Sequence, residues 1–290
     1  MDIGIGLPAT IPGVDRAALL DWARRAEERG FSTLGTIDRI VYANFEPLVA
    51  MAAAAAVTER IRLTTAIMIA PYRLNTALMA KQLLTVDAIS GGRLTVGIAV
   101  GARPDDYEAA GAGFEDRGRR FDAQLAELRE IFDGAEKGYA GPIGPRPVRA
   151  GGPPLVLGGS VEAAVRRTIQ HGIGWIAGGS GPDAFRDFGQ KVAVAWEGAG
   201  REGRPRLMAL AYYALGGGAE AAAQRYLGDY YGFLGEETAG YIVGGAAKSE
   251  DAVREALAGY EQGGCDELIL FPCSTDVAQV DLLADVALGS

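Results

Sequence analysis

The chain has 290 residues, of which 49% are hydrophobic and 22% are charged, as in an ordinary globular protein. Its formal net charge of -9, without a run of basic residues, argues against nucleic-acid binding, which needs a clustered positive surface. No apolar run is long enough to span a bilayer, and no secretory signal precedes the first strand-like segment, so a cytoplasmic protein is predicted.

Strand-like and helical segments alternate from one end of the chain to the other. Most strand-like segments are continuous apolar runs, which is typical of parallel strands covered on both faces. About eight β/α units result, the number that closes a parallel barrel, so the sequence predicts a (β/α)8 TIM barrel, in a single domain over residues 1–290 with insertions. The predicted strands are Ile3–Leu7, Thr33–Ile37, Ile61–Ile67, Leu94–Ala99, Leu155–Leu157, Trp175–Ala177, Leu207–Tyr213 and Leu268–Phe271.

Helices are predicted between these strands. Asp15 is suited to cap the first helix, and Gly30 is suited to end it in the left-handed conformation. The segments Gly138–Gly152 and Gly232–Ala247 are expected to be loops that cover the mouth of the site. Later helices are predicted at Val161–Gln170, Pro182–Gly198, Ala219–Tyr231, Ser249–Gln262 and Asp276–Leu288.

The stretch from Arg60 to Gly113 predicts a strand, a long helix and a second strand. The first strand runs into Thr65–Pro71 and the second contains Gly97–Gly101, so both end in residues that expose backbone and carry no charged side chain. In a parallel barrel, the carboxyl ends of the strands form the active site. These two neighbouring strand ends therefore predict a backbone platform for a large flat cofactor.

Few residues suit acid–base or metal chemistry. No lysine lies on a predicted strand and no His/Asp/Glu cluster suits a metal, which disfavours a Schiff-base enzyme and predicts no metal site. His171 is the only histidine and precedes Gly172 at a predicted helix end, an ordinary C-cap position. Cys265 and Cys273 flank one predicted strand, too far apart to bond, so two reduced thiols are expected. Such a site must take its chemistry from a cofactor.

Polar and aromatic side chains follow the second, third and fourth strands. Asp38 and Arg39 come after the second strand and are the candidate catalytic residues, although a pair that merely braces the loop is the alternative. Tyr42 lies nearby, Tyr72 follows the third strand and Tyr107 follows the fourth. These three tyrosines are candidates for substrate contact, with ordinary loop packing as the alternative.

Two Gly–Ser turns follow the fifth and sixth strands, each before a predicted helix. A helix N-terminus with glycine and serine offers free N–H groups and a hydroxyl, which suit a phosphate. Each serine is equally suited to be a plain N-cap, but two such turns on adjacent units favour a phosphate-bearing cofactor. The candidate residues are Gly158, Gly159, Ser160, Gly178, Gly179 and Ser180.

Five further motifs stand at Glu46–Leu48, Thr58–Thr65, Ala80–Asp87, Ser90–Leu94 and Gly118–Asp122. Together with the strand ends they resemble the bacterial-luciferase-like family of flavin and deazaflavin oxidoreductases. The similarity covers nearly the whole sequence. It implies a β/α barrel, in agreement with the strand count, and a homodimer.

The resemblance also implies a binding site for FMN or coenzyme F420. Family members carry a bulge at the end of the third strand, often with a non-proline cis peptide, which supports the isoalloxazine ring. By position this bulge is Ala66–Ile67, and Val100 and Gly101 form the cofactor wall. Asp38 is expected among the cofactor contacts as well, and the two Gly–Ser turns are expected to contact the phosphate or the tail.

One departure from the family concerns the residue after Asp38. Many deazaflavin-dependent relatives have Asp–His at this point, and this chain has Asp38–Arg39. The presence of arginine in place of this histidine argues against a histidine acid–base step and weakens the deazaflavin assignment. Arg39 instead favours an anionic group on the substrate or a negatively charged form of the flavin.

Three functions fit these observations. The first is a monooxygenase that receives reduced FMN from a separate flavin reductase and oxygenates a small organic substrate in a dry apolar site. The second is hydride transfer with coenzyme F420, and the third, of another class, is a flavin-binding protein without catalysis.

Overall fold

All eight predicted strands are present, and they pair in parallel and in chain order to close a barrel, with the last strand beside the first. The structure is a computed structural model that describes residues 1–289. The predicted barrel is therefore confirmed. Its strands are Asp2–Gly6 (β1), Thr33–Thr36 (β2), Arg62–Ile69 (β3), Leu94–Ala99 (β4), Leu155–Gly158 (β5), Gly174–Ala177 (β6), Arg206–Tyr213 (β7) and Glu267–Pro272 (β8).

Helices surround the barrel, and the sequence signals at their ends have the expected effect. Asp15 accepts a hydrogen bond from the Ala18 N–H at 2.8 Å, and Gly30, just past the end of the same helix, has a φ of 85°. The helices are Arg16–Glu28 (α1), Pro47–Ala55 (α2), Thr76–Ile89 (α3), Pro104–Ala109 (α4), Arg117–Phe132 (α5), Glu162–His171 (α6), Pro182–Gly198 (α7), Ala219–Tyr231 (α8), Glu236–Gly244 (α9), Glu250–Gln262 (α10) and Ala278–Ala287 (α11).

The apolar strands are buried on both faces. Val156, Met208 and Ile269 fill the inside of the barrel, in one cluster with Tyr226 and Tyr230 of α8. Because α8 and α9 lie between β7 and β8, this cluster joins the barrel interior to an inserted helical segment. The insertion therefore stacks aromatic rings over the carboxyl end of the barrel.

The expectation for the first of two segments at the mouth is confirmed in part, and that for the second is wrong. The segment Gly232–Ala247 is not a plain loop, since it contains the helix α9 and a short 3-10 turn at Gly232–Leu234, but Phe233 and Leu234 do line the cavity described below. The segment Gly138–Gly152 connects α5 to β5 and so lies at the amino-terminal end of the barrel, where the Val148 N–H donates to Asp87 at 3.3 Å. It does not line the cavity described below.

Charged groups hold the amino-terminal end of the barrel together. The buried carboxylate of Glu267 accepts hydrogen bonds from Arg206 at 2.7 Å, from Arg62 at 2.9 Å and from Ser32 at 2.6 Å. Glu27, at the end of α1, accepts backbone N–H groups from the segment that leads into β3. These contacts tie β3, β7 and β8 to the chain around them.

Candidate functional site

A cavity of about 230 Å³ opens at the carboxyl ends of β2, β3 and β4, beneath the inserted helices. Its wall combines residues that follow these strands with aromatic residues of the insertion. It is lined by Ile37, Asp38, Ile67, Ile69, Tyr72, Gly101, Ala102, Arg103, Asp106, Tyr107, Tyr230, Tyr231, Phe233 and Leu234.

The platform predicted on β3 and β4 forms one side of this cavity. The Ala66–Ile67 peptide is cis, as predicted, and the pairing of β3 with β4 shifts between Thr65 and Met68. Glycine at position 97 makes this close approach possible, because a Cβ there would lie 2.0 Å from the Thr65 carbonyl oxygen. Ile67 lines the cavity, while Ala66 is buried behind it.

Gly101 continues the platform from β4. Its φ is +68°, and a Cβ would lie 2.9 Å from the side chain of Ile69, so both backbone and packing favour glycine. Val100 stands beside it, half-buried and outside the cavity wall, and its carbonyl accepts a hydrogen bond from Tyr107 at 2.5 Å. Gly101 therefore forms part of the cavity wall, and Val100 supports it from outside the wall.

Asp38 lies at the cavity wall with its carboxylate buried. It accepts a hydrogen bond from the Ile69 N–H at 2.9 Å and two from Arg73 at 3.1 Å. Burial raises the pKa of Asp38 above its usual range, although the charge of Arg73 opposes this effect. Arg73 also donates to Glu46 at 2.9 Å, so Asp38 anchors a network behind the platform.

The Tyr72 ring is buried in the cavity wall and packs edge-on against Tyr107 at 5.7 Å. Burial and the nearby Asp38 charge raise the pKa of the Tyr72 hydroxyl far above its usual value, so it stays protonated. The hydroxyl lies beside the Asp38 carboxylate, but it makes no hydrogen bond of ordinary geometry within residues 1–289. A buried donor in a cavity wall that is not held by such a bond can turn to a ligand.

Arg39 lies outside the cavity wall, and its side chain is 5% exposed. Its guanidinium donates to the Val41 carbonyl at 2.7 Å and to Asp105 at 3.1 Å, and it pairs with Asp106 at 3.2 Å. Tyr42 stacks against it and donates its hydroxyl to Asp229 at 2.6 Å. Arg39 and Tyr42 therefore brace the rim, whereas Asp38, Tyr72 and Tyr107 reach the cavity.

Nine cavity residues were not among the sequence candidates, and two of these, Arg103 and Asp106, are charged. Asp106 accepts the N–H groups of Ile40 at 3.0 Å and Val41 at 2.7 Å, which holds the loop after β2 against α4. Arg103 donates to the Tyr230 carbonyl at 2.5 Å and stacks 3.7 Å from the Phe233 ring. The fold brings these residues together from loops and an insertion. Two local sequence signals could have pointed to them: the acidic pair after Pro104 and the aromatic run at the end of α8.

The Gly–Ser turns after β5 and β6 do not line the cavity. Gly158 is buried, since a Cβ there would lie 2.2 Å from Ile67, while the remaining residues of both turns are exposed. Neither serine is an N-cap: α6 is capped by Val161 and α7 by Gly181, both without a side-chain hydrogen bond. The alternative of plain serine caps is therefore wrong. The exposed residues are Gly159, Ser160, Gly178, Gly179 and Ser180.

The remaining titratable groups are structural. Cys265 and Cys273 are free and buried, as predicted, and burial raises the pKa of each thiol to about 12. His171 ends α6 with Gly172 as its C-cap, also as predicted. In the described residues, no group of three or more His, Cys, Asp or Glu side chains is placed to hold a metal ion. No helix among them has the length and apolarity needed to cross a membrane.

Comparisons with known proteins agree with this architecture. A family model described as luciferase-like monooxygenase matches residues 1–270. A Mycobacterium tuberculosis protein without an assigned function is 32% identical over 162 residues, which are 54% of this chain and 56% of that protein. The chain thus spans a little more than half the length of these curated relatives.

Two solved structures share the fold over almost the whole chain. An F420-dependent secondary alcohol dehydrogenase, solved with an F420–acetone adduct, superposes with a TM-score of 0.79 at 17% identity, covering 99% of this chain and 98% of its own. The oxygenating constituent of 3,6-diketocamphane monooxygenase from Pseudomonas putida, solved with FMN, gives 0.75 at 16% identity, covering 100% and 98%. At this identity the likeness establishes the barrel fold.

Proposed function

Because the chain belongs to the luciferase-like monooxygenase family, we propose that it is an oxidoreductase that uses reduced FMN to oxygenate a small organic substrate. The observation that carries the proposal is the aromatic cavity on the β3–β4 platform, with the Tyr72 hydroxyl and the Asp38 carboxylate side by side in its wall. Bound FMN supplies the electrons and the reaction with dioxygen, which few side chains here are suited to supply.

The residues present fit a flat ring with polar edges. Ile67 and Gly101 offer a surface without side-chain polar atoms, and any larger residue than glycine at position 101 meets Ile69. Tyr72 contributes a protonated hydroxyl next to Asp38 in the same wall, and this hydroxyl is proposed to donate to a polar edge of the ring. The exposed Gly–Ser turns, whose serines are not engaged as helix caps, are proposed to contact the phosphate.

Asp38 and Arg39 are proposed to serve the site in different ways. Asp38 lines the cavity, holds the Ile69 N–H beside the platform and faces Tyr72, so it orients the groups that meet the cofactor. Arg39 pairs with Asp106 and is therefore proposed as a positioning residue for the rim. The rings of Tyr230 and Tyr231 close the cavity from above and exclude water from it.

Coenzyme F420 is the alternative cofactor, supported by the structural likeness to an F420-dependent alcohol dehydrogenase. In that case the protein transfers a hydride and consumes no oxygen. The same platform and the same Tyr72 hydroxyl serve either ring, because the contacts are backbone, apolar side chains and one donor.

Turnover with each cofactor separates the functions. We expect that protein supplied with FMN, NADH and an added flavin reductase transfers one atom of isotope-labelled dioxygen to a member of a panel of small ketones, aldehydes and aromatic acids. Product formation only with reduced F420, and without label, would support the alternative. No product with either cofactor would contradict both and leave a binding protein without catalysis. The reductase partner and the homodimer stay predictions, for pull-down and light scattering to test.

A further inference from the structure

Arg103 lines the cavity wall without a carboxylate partner of its own. Three charged residues line this wall: Asp38, Asp106 and Arg103. Each aspartate pairs with an arginine outside the wall, since Arg73 lies 3.1 Å from Asp38 and Arg39 lies 3.2 Å from Asp106. Each of these two arginines also pairs with a second carboxylate, Glu46 or Asp105. Within residues 1–289, Arg103 forms no salt bridge, so no carboxylate engages it directly.

The surroundings of Arg103 leave its charge free for a ligand. One of its N–H groups donates to the Tyr230 carbonyl, and its guanidinium stacks on Phe233 at 3.7 Å and on Tyr230 at 4.5 Å. Burial lowers its pKa below the usual value, and the neighbouring charge of Arg39 lowers it further. The charge of Asp106 opposes this effect only in part, and both its oxygens are already engaged by Arg39, Ile40 and Val41. An anion at this point would stabilise the charged guanidinium.

The rest of the wall is apolar or aromatic. Ile67, Ile69, Tyr107, Tyr231 and Leu234 face the same space. We infer that the substrate is an organic acid, with an apolar or aromatic body in the cavity and a carboxylate bound by Arg103. This inference rests on the proposed function and narrows its substrate to one chemical class.

The position of Arg103 favours a substrate carboxylate over a cofactor phosphate. The Gly–Ser turns proposed for the phosphate follow β5 and β6 and stand outside this cavity, whereas Arg103 follows β4 and lies under the insertion. The two anion contacts therefore belong to different strand ends. Loss of the Arg103 charge should accordingly weaken binding of a carboxylate and not of FMN.

Benzoate and its neutral analogue benzamide are suitable probes, measured by calorimetry on the full-length protein with and without FMN. We expect the wild type to prefer benzoate to benzamide by about tenfold or more, because a guanidinium–carboxylate contact is charge-assisted. Arg103→Met should abolish this preference and leave benzamide binding within about twofold. Equal binding of the two probes to the wild type, or benzoate binding unchanged in the variant, would overturn the inference.

Arg117 provides a matched control. It is half-buried like Arg103, stacks 3.8 Å from the Phe114 ring and donates to the Phe114 carbonyl at 2.8 Å, but it does not line the cavity. Arg117→Met should leave the preference for benzoate intact. A matching loss in both variants would mean that general surface charge, not the cavity cation, attracts benzoate, and would overturn the inference.

Two further measurements separate a lost charge from a disturbed fold and from a failed cofactor assignment. Arg103→Lys keeps the charge and should retain most of the preference for benzoate. Loss of this preference in the lysine variant, with unchanged circular dichroism, would contradict the carboxylate role.

A larger loss of FMN affinity than of benzoate affinity in Arg103→Met would assign the residue to the cofactor and overturn the inference. Absence of any FMN or F420 binding refutes the proposed function alone, because the benzoate preference is measured independently.

Discussion

The two ends of the barrel use their polar groups differently. At the amino-terminal end, the Glu267 carboxylate is fully engaged by Arg62, Arg206 and Ser32. At the carboxyl end, the Tyr72 hydroxyl lies beside Asp38 without a hydrogen bond of ordinary geometry, and Arg103 forms no salt bridge among the described residues. Satisfied groups stabilise the fold, and unsatisfied groups at a cavity are free to bind. Stability and ligand binding should therefore respond to substitutions at opposite ends.

The largest expected effect is on stability, from the amino-terminal end. Among the described residues, Glu267→Ala leaves Arg62 and Arg206 with Asp2 as their only acidic partner. We expect a loss of about 2–3 kcal/mol in the free energy of unfolding, which is less than for a fully buried ion pair because both arginines are partly exposed. Urea denaturation measures the loss, and cofactor affinity should change by less than about twofold. A variant with unchanged stability but weakened cofactor binding would contradict the separation of stability and ligand binding between the two ends of the barrel.

The next effect is on cofactor binding, from the platform. Gly101→Ala places a Cβ 2.9 Å from the side chain of Ile69. Either the Ile69 side chain or the cofactor ring must then move, so cofactor affinity should fall about tenfold or more. Gly111→Ala is the matched control, because Gly111 has a φ of +66° and no atom within 4 Å of the added Cβ. Both variants should lose about 1 kcal/mol of stability from the left-handed backbone, and only the first should lose affinity. Equal affinities would refute the placement of the ring.

A pH measurement sharpens the picture of the amino-terminal end. Burial alone would raise the pKa of Glu27, but the N–H groups of Glu59, Arg60 and Ile61 hold it below its ordinary value of 4.5. A lowered pKa means that charged Glu27 stabilises the fold above pH 4.5, and that this stabilisation is lost as pH falls through the lower folded value.

Glu27→Gln tests this sign directly. We expect the variant to lose about 1–2 kcal/mol of unfolding free energy at pH 7 and to show a flatter decline in acid than the wild type. Thermal unfolding across the acidic range measures both. Parallel curves for the two proteins would show that the backbone contacts of Glu27 do not depend on its charge.

The smallest expected effect compares two buried tyrosines. Tyr72→Phe removes a hydroxyl that lies beside Asp38 without a hydrogen bond of ordinary geometry, so stability should change by less than about 1 kcal/mol, while cofactor affinity should fall about threefold to tenfold. Tyr107→Phe removes a hydrogen bond to the Val100 carbonyl and should lose about 1 kcal/mol of stability. Destabilisation by the first substitution, without an effect on affinity, would mean that Tyr72 is a packing residue.

The sequence predicted the barrel well because its strands are buried on both faces and read as continuous apolar runs. It missed α9, in which Gly240 and Gly244 weaken the helical signal, and α4, which is only one and a half turns long. The loop Gly138–Gly152 was assigned to the wrong end, although its place between a helix and the following strand fixes it at the amino-terminal end.

The site was predicted only in part, for a physical reason. Asp38, Tyr72 and Gly101 lie within three residues of a strand end and Ile67 lies near the end of β3, so the barrel rule alone brings them together. Tyr107 lies on α4, the short helix that follows β4. The contact of Arg103 with Tyr230 joins residues 127 positions apart, which no local pattern encodes. Arg39 follows a strand too, yet its side chain turns to Asp105 and Asp106, because they are the charged partners that α4 places beside it.

Titration of the purified protein with FMN and with coenzyme F420, followed by absorbance and fluorescence quenching, tests the central claim most directly. We expect saturable binding of one of the two cofactors by the wild type, with the flat ring against Ile67 and Gly101, and weaker binding by Gly101→Ala. Binding of neither cofactor, or equal binding by the wild type and the variant, would contradict it.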